Sequence, residues 1–147
     1  WDYIDWIKTL WKGPVIIKGI LDPEDAIIAK KKKVDGIIVS NHGGRQLDGT
    51  LSSIVALKSI VDEVGKDTDV FFDGGIRSGQ DIIKALAIGA KGVFFGRPYL
   101  YGLGALGKKG VDLVVEILKK EIDLTLALCG ERNVSNLRRG NLFNYEN

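Results

Sequence analysis

The chain has one histidine, His42, set in Ser40-Asn41-His42-Gly43-Gly44-Arg45. Imidazole ionises near pH ~6.5, which suits a general base. The two following glycines permit unusual backbone angles and close ligand approach. A surface or core histidine remains about as good a reading of the residue types alone. Arg45 carries a planar fork that can grip a carboxylate or phosphate; a salt bridge to Asp48 is the competing reading. Lys18 ends an otherwise apolar run, between Ile17 and Gly19, which favours an anion partner over a plain exposed strand end. Asp73-Gly74-Gly75-Ile76-Arg77 and Gly96-Arg97 combine glycine backbones with cations. With Ser78 and Gly79 opening a helix behind the first of them, they suit a phosphate. A tight turn at Gly74-Gly75 is the simpler alternative.

These groups need elements to aim them. Four short apolar runs precede them: Val15 to Ile17, Gly36 to Val39, Val70 to Phe72 and Gly92 to Phe95. Near-continuous β-branched and aromatic runs read as strands buried on both faces. Helix signals lie between. Asp22-Pro23 is an N-cap followed by proline at the first helical position. Ser78 to Asp81 has capping-box spacing. Helical periodicity starts at Leu51, at Ile82 and at Val111, the last running to Leu128, and a leading helix covers Asp2 to Leu10. The reading is a helix followed by βαβαβαβα, with a parallel sheet. Every polar group named above then sits at a strand's carboxyl end, where parallel α/β folds bind ligands. Four such units suit half of an eight-stranded barrel or a small doubly wound sheet. Gly102 to Gly110 reads as a loop, and the tail from Asn133 as irregular.

Composition narrows the classes. A chain of 147 residues with net charge +2 suits one domain and does not demand nucleic acid. The only cysteine, Cys129, excludes a disulfide framework within the chain and is expected to be structural. No metal-ligand spacing is present. No run reaches the ~18 apolar residues of a spanning helix, and no signal peptide is evident. Lys30 to Lys33 reads as a solvated helix end, and Trp1, Trp6 and Trp11 as packing for the first helix. A start at Trp1 without methionine leads us to expect a piece of a longer protein.

The block Ser40 to Asp48 resembles the signature of the FMN-dependent α-hydroxy acid dehydrogenases and oxidases. Similarity runs from about residue 11 to 142. It takes in Ile17-Lys18-Gly19-Ile20, Asp73 to Arg77, and Gly96-Arg97-Pro98 with Tyr99-Leu100-Tyr101. Gly19 to Ala26 and Gly49 to Ser53 most resemble the bacterial L-lactate dehydrogenase branch. The resemblance implies a TIM (βα)8 barrel, of which residues 1–147 would be the carboxyl-terminal half. It implies FMN as cofactor and a small 2-hydroxy acid, L-lactate first, as substrate. His42 would be the base and Arg45 would bind the substrate carboxylate. Lys18 would lie at the flavin N1/O2 edge and stabilise the reduced ring. Ser40 would touch the flavin or its ribityl chain, and Asp73 the ribityl hydroxyls. Gly75, Arg77, Gly96 and Arg97 would hold the phosphate. It further implies an electron acceptor (quinone, cytochrome or oxygen), homo-oligomers of the full-length protein, and a cytoplasmic place, peripheral at the inner membrane face. The alternatives are a glycolate- or lactate-type oxidase and a non-catalytic phosphate- or flavin-binding half-barrel.

Overall fold

The computed structural model describes residues 1–143, which fall into two compact units. One comprises Trp1–Gly74 with Ala90–Gly92; the other comprises Gly75–Gly89 and the chain from Val93 onward.

The first unit runs α1 (Asp2–Leu10), β1 (Ile16–Ile20), α2 (Pro23–Lys31), β2 (Gly36–Val39), α3 (Ser53–Val64) and β3 (Asp69–Asp73). β1 pairs in parallel with β2, and β2 with β3. β4 (Gly92–Phe94) opens beside β3, where the Lys91 N–H donates to the Val70 carbonyl at 2.7 Å. Ile37, Val39, Leu57, Ile60, Val64 and Phe72 make a core sealed from water. β2 fits the expectation of a strand covered on both faces. β1 does not: Ile16 is 47% exposed, and Ile20 alone is buried in that strand. The difference is positional, because among the described residues β1 pairs only with β2. An edge strand can carry the same apolar sequence as a central one.

The helix signals hold in detail. The Asp22 carboxylate accepts from the Glu24 N–H at 2.8 Å, with Pro23 at the start of α2. The lysine run that follows is more than a solvated helix end. Lys30 reaches Asp67 at 2.5 Å, and Lys32 pairs with Asp5 and, at 3.7 Å, with Asp2. The Asp5 carboxylate holds the Lys32 ammonium above its ordinary pKa. Lys8 donates to the Lys32 carbonyl at 2.8 Å and to that of Lys33. These charges therefore fasten α1 to the end of α2. The tryptophans do not pack α1: Ile4 is its one buried residue, and Trp1, Trp6 and Trp11 are all exposed.

The second unit contains α4 (Gly79–Ile88), α5 (Arg97–Leu106) and α6 (Lys108–Leu128). The glycine-rich stretch from Gly102 to Gly110 is helix, not loop, interrupted only at Gly107, which has φ +59°. Two of its glycines are there for contact. A Cβ on Gly102 would lie 2.5 Å from the Gly110 carbonyl oxygen, and one on Gly110 would collide with the Gly102 carbonyl. α5 and α6 thus meet backbone to backbone. Cys129, expected to be structural, is exposed at the end of α6. Short 3-10 turns at Val134–Asn136 and Arg139–Asn141 break up the tail. No helix among the described residues is long and apolar enough to cross a membrane.

Candidate active site

In the first unit, three neighbouring strands bring Lys18, Ser40 and Asp73 to one point; Lys18 lies inside β1 and does not end it as the apolar run suggested, Ser40 follows β2 and Asp73 ends β3. The β1–β2 register shifts between Lys18 and Ile20, with Gly19 at φ +102°. Bulges of this kind re-aim a neighbouring side chain. The Lys18 Nζ donates to the Ser40 Oγ at 2.7 Å and pairs with Asp73 Oδ2 at 2.6 Å. The Ser40 hydroxyl donates to Asp73 Oδ1 and accepts from the His42 backbone N–H at 3.0 Å. A hydroxyl has one donor and two acceptor positions. All three are used, at a residue only 1% exposed.

His42 is therefore tied through its backbone to the same hydroxyl that holds Lys18. Its own conformation is left-handed, φ +56°, and Gly43 and Gly44 continue in that region at +67° and +73°. A non-glycine residue held there costs on the order of 1–3 kcal/mol and persists only where its surroundings enforce it. The enforcement is visible. The Asn41 side chain accepts from the Gly43 N–H at 3.0 Å, and the Asn41 carbonyl accepts from the Gly44 N–H, also at 3.0 Å. Asp48 Oδ1 lies 2.6 Å from where a Gly44 Cβ would sit. Gly74, φ +111°, is pressed against the buried Ser53 hydroxyl. The result is an exposed imidazole on a rigid turn, with the exposed Arg45 three residues on. Among the described residues no ion pair joins Arg45 to Asp48, so the competing salt-bridge reading of Arg45 finds no support. Sequence reasoning named Lys18, Ser40, His42 and Asp73 singly. It missed that Ser40 is the junction of the other three, and it missed Asn41 and Ser53.

In the second unit, Gly75 (φ +84°) and Arg77 are exposed before α4, and Gly96 and Arg97 are exposed at the start of α5. The two helix starts differ. The Arg77 and Ser78 N–H groups both donate to Asp81 Oδ2 at 3.0 Å, and the Gly79 N–H donates to Glu121 Oε2 at 2.6 Å. Ser78 and Gly79 open α4 as expected, and two carboxylates already occupy its start. The start of α5 has no side-chain cap. Its N-cap, Gly96, presents open space where a Cβ would be.

Comparison with known proteins identifies the family. A family model described as FMN-dependent dehydrogenase matches residues 1–144. An L-lactate dehydrogenase of Caulobacter vibrioides is 50% identical over 137 residues, which is 93% of this chain and 36% of that protein. The monotopic membrane protein (S)-mandelate dehydrogenase superposes with a TM-score of 0.94 at 44% identity, covering 98% of this chain and 38% of its own. A mandelate oxidase variant carrying a monooxide FMN adduct gives 0.90 at 43% identity, over 95% and 44%. The chain spans little more than a third of the length of the L-lactate dehydrogenase it matches.

Proposed function

This chain belongs to the family of FMN-dependent dehydrogenases, whose fold is the TIM (βα)8 barrel, and on that premise we propose that it is the FMN-binding, carboxyl-terminal half of an L-2-hydroxy acid dehydrogenase oxidising L-lactate to pyruvate. The observation that carries the reading is the Ser40 junction. A cation for an electron-rich ring and a backbone-fixed base issue from one bonded cluster, and the arginine follows on the same turn, its N–H donating to the His42 carbonyl at 3.4 Å.

The residues fit FMN by their donors. An ammonium has three N–H groups, and Lys18 gives one to the Ser40 hydroxyl and pairs with Asp73, which leaves donor capacity for the ring edge. Asp73 lies beside it for the ribityl chain, while the Ser40 hydroxyl, buried and with every position used inside the protein, holds Lys18 in place of touching the flavin. Arg77, Arg97, the Gly75 backbone and the uncapped Gly96 end of α5 offer charge and N–H groups to the phosphate. Bound FMN supplies a two-electron acceptor. The chain's own residues do the rest. Arg45 pairs with the substrate carboxylate and fixes its orientation. His42 takes a proton from the substrate, from a backbone position that the left-handed turn and the Ser40 hydroxyl hold. Lys18 places positive charge where negative charge builds up. A module that only bound phosphate or flavin would have no use for a base held in a strained backbone.

The electrons go on to a quinone or a cytochrome in this reading. The mandelate oxidase neighbours support a second one, in which oxygen is the acceptor. The full-length protein forms homo-oligomers in the cytoplasm, peripheral at the inner membrane face; the monotopic mandelate dehydrogenase supports that placement.

The deciding experiment is an anaerobic FMN titration of the chain, followed by L-lactate, read by flavin absorbance. Saturable binding supports the cofactor assignment, and bleaching by lactate supports the substrate. Absence of FMN binding by this chain means that the flavin site needs the rest of the barrel, and the same titration of the full-length protein then decides the reading. Where bleaching occurs, His42→Gln is expected to slow it by roughly 10²–10⁴-fold while FMN stays bound. Unchanged bleaching in that variant would remove His42 from the role of base.

A further inference from the structure

We infer that Asp73 and Ser40 are a positioning pair for Lys18, holding its ammonium with donor capacity left over and offsetting part of its charge, and so setting the reduction potential of the bound flavin. The inference rests on the FMN reading above, and its argument is geometric.

Asp73 commits both of its oxygens inside the cluster, Oδ2 to Lys18 at 2.6 Å and Oδ1 to the Ser40 hydroxyl. Its first ties are therefore to the cation and to the junction, ahead of any ribityl hydroxyl. The side chains of Asp73 and Lys18 are 18% and 42% exposed. Asp73 is thus the more shielded side chain and Lys18 the more open one. Ser40 cannot rotate to release Lys18 without leaving the His42 N–H or Asp73 unpaired, at a residue closed to water. Lys18 consequently offers its remaining donor capacity from a fixed place.

A carboxylate that close converts much of the ammonium's point charge into a dipole. Viewed from a ring beyond the ammonium, the attraction for added negative charge is weaker than a lone lysine would give. Asp73 therefore lowers the flavin potential that Lys18 raises. Ser40 fixes the distance over which the two charges act.

The test uses Asp73→Asn, which keeps the shape and a carbonyl acceptor for Lys18 but removes the charge. The potential of FMN bound to this variant is expected to rise by about 30 mV, equivalent to roughly a tenfold gain in preference for the reduced form. A second readout needs no flavin. Limiting acylation of the FMN-free chain, resolved by residue with mass spectrometry, should label Lys18 several-fold faster in Asp73→Asn and in Ser40→Ala. Lys33 and Lys66, which lie outside the cluster, should label at the same rate in all three proteins. Unchanged labelling of Lys18 in both variants overturns the positioning pair. FMN binding with an unchanged potential in Asp73→Asn overturns the tuning role and leaves the FMN reading standing. Full-length protein that binds no FMN overturns the FMN reading itself, and the tuning role with it.

Discussion

Two helix starts in the second unit show opposite solutions to one problem. An α-helix leaves its first N–H groups without internal partners and carries partial positive charge there. At α4 the protein meets that need itself, with the Ser78–Asp81 capping box and with Glu121 brought from α6. At α5 it supplies no side-chain cap: Gly96 is the N-cap, and Pro98, the second helical residue, has no N–H to offer. The lesson is that a strong capping signature marks a helix start that is already neutralised. Its absence, next to Arg97, leaves that start open, and in the proposed function this is where the phosphate goes.

The largest effect expected from disturbing this contrast comes from the far end of α5. Gly110 has no room for a methyl group, because its Cβ would run into the Gly102 carbonyl. Backbone cannot yield as a side-chain tip does. Gly110→Ala should therefore cost about 3 kcal/mol, the upper part of the overpacking range, by pushing α5 off α6. Urea unfolding should show a lower midpoint at unchanged slope. A near-neutral result would mean that α5 is not anchored by this contact. The open start of α5 would then have no fixed place from which to act.

Next in size is Gly96→Asp, which gives α5 the kind of cap that α4 has. Space is free for the side chain. The carboxylate should stabilise the helix by about 0.5–1 kcal/mol. It should also repel a phosphate at the same N–H groups, weakening FMN binding at least tenfold, about 1.4 kcal/mol. Calorimetric titration with FMN and thermal unfolding would be read on the same sample. Tighter or unchanged FMN binding would show that the phosphate does not use the start of α5.

Much of this was legible in the residues, for reasons that differ by element. α1 and β2 lie where periodicity and apolar runs put them, and Asp22 and Ser78 cap as their spacing says. Those signals are local, completed within a few residues. The failures are long-range. Glycines at 102, 104, 107 and 110 look like a loop because propensity penalises glycine in helices. Their use as a contact surface depends on which two of them face each other across a helix pair. Glu121 takes the Gly79 N–H from 42 residues away, so no local rule could show the start of α4 to be occupied. The site divides in the same way. Ser40 through Arg45 was recognisable as a block, but the sharing of one buried hydroxyl by Lys18, His42 and Asp73 follows from strand register. Trp1, Trp6 and Trp11 misled for the opposite reason, since aromatic residues suggest burial whether or not a surface is there to meet them.

Ser78→Ala comes third. It removes the hydroxyl that accepts from the Asp81 N–H at 3.3 Å and donates to Asp81 Oδ2 at 3.0 Å. Stability should fall by about 1 kcal/mol, the usual cost of losing a serine cap. FMN affinity should stay within twofold, because Glu121 still takes the Gly79 N–H and the Asp81 carboxylate still takes those of Arg77 and Ser78. A loss of FMN binding as large as that from Gly96→Asp would erase the distinction between the two helix starts.

Glu121→Gln is the smallest and the most discriminating change. The amide oxygen can still accept from the Gly79 N–H, so the hydrogen bond survives and only its charge is lost. The cost is then the interaction of one carboxylate with the helix dipole, about 0.5 kcal/mol, visible as a small fall in the urea midpoint. Added phosphate at millimolar concentration should not restore it, since the amide still fills the position. If phosphate did restore the stability of this variant, and not that of the wild type, the start of α4 would be an anion site that Glu121 holds shut. The contrast with α5 would then be one of occupancy by the protein's own carboxylate, and no longer one of capability.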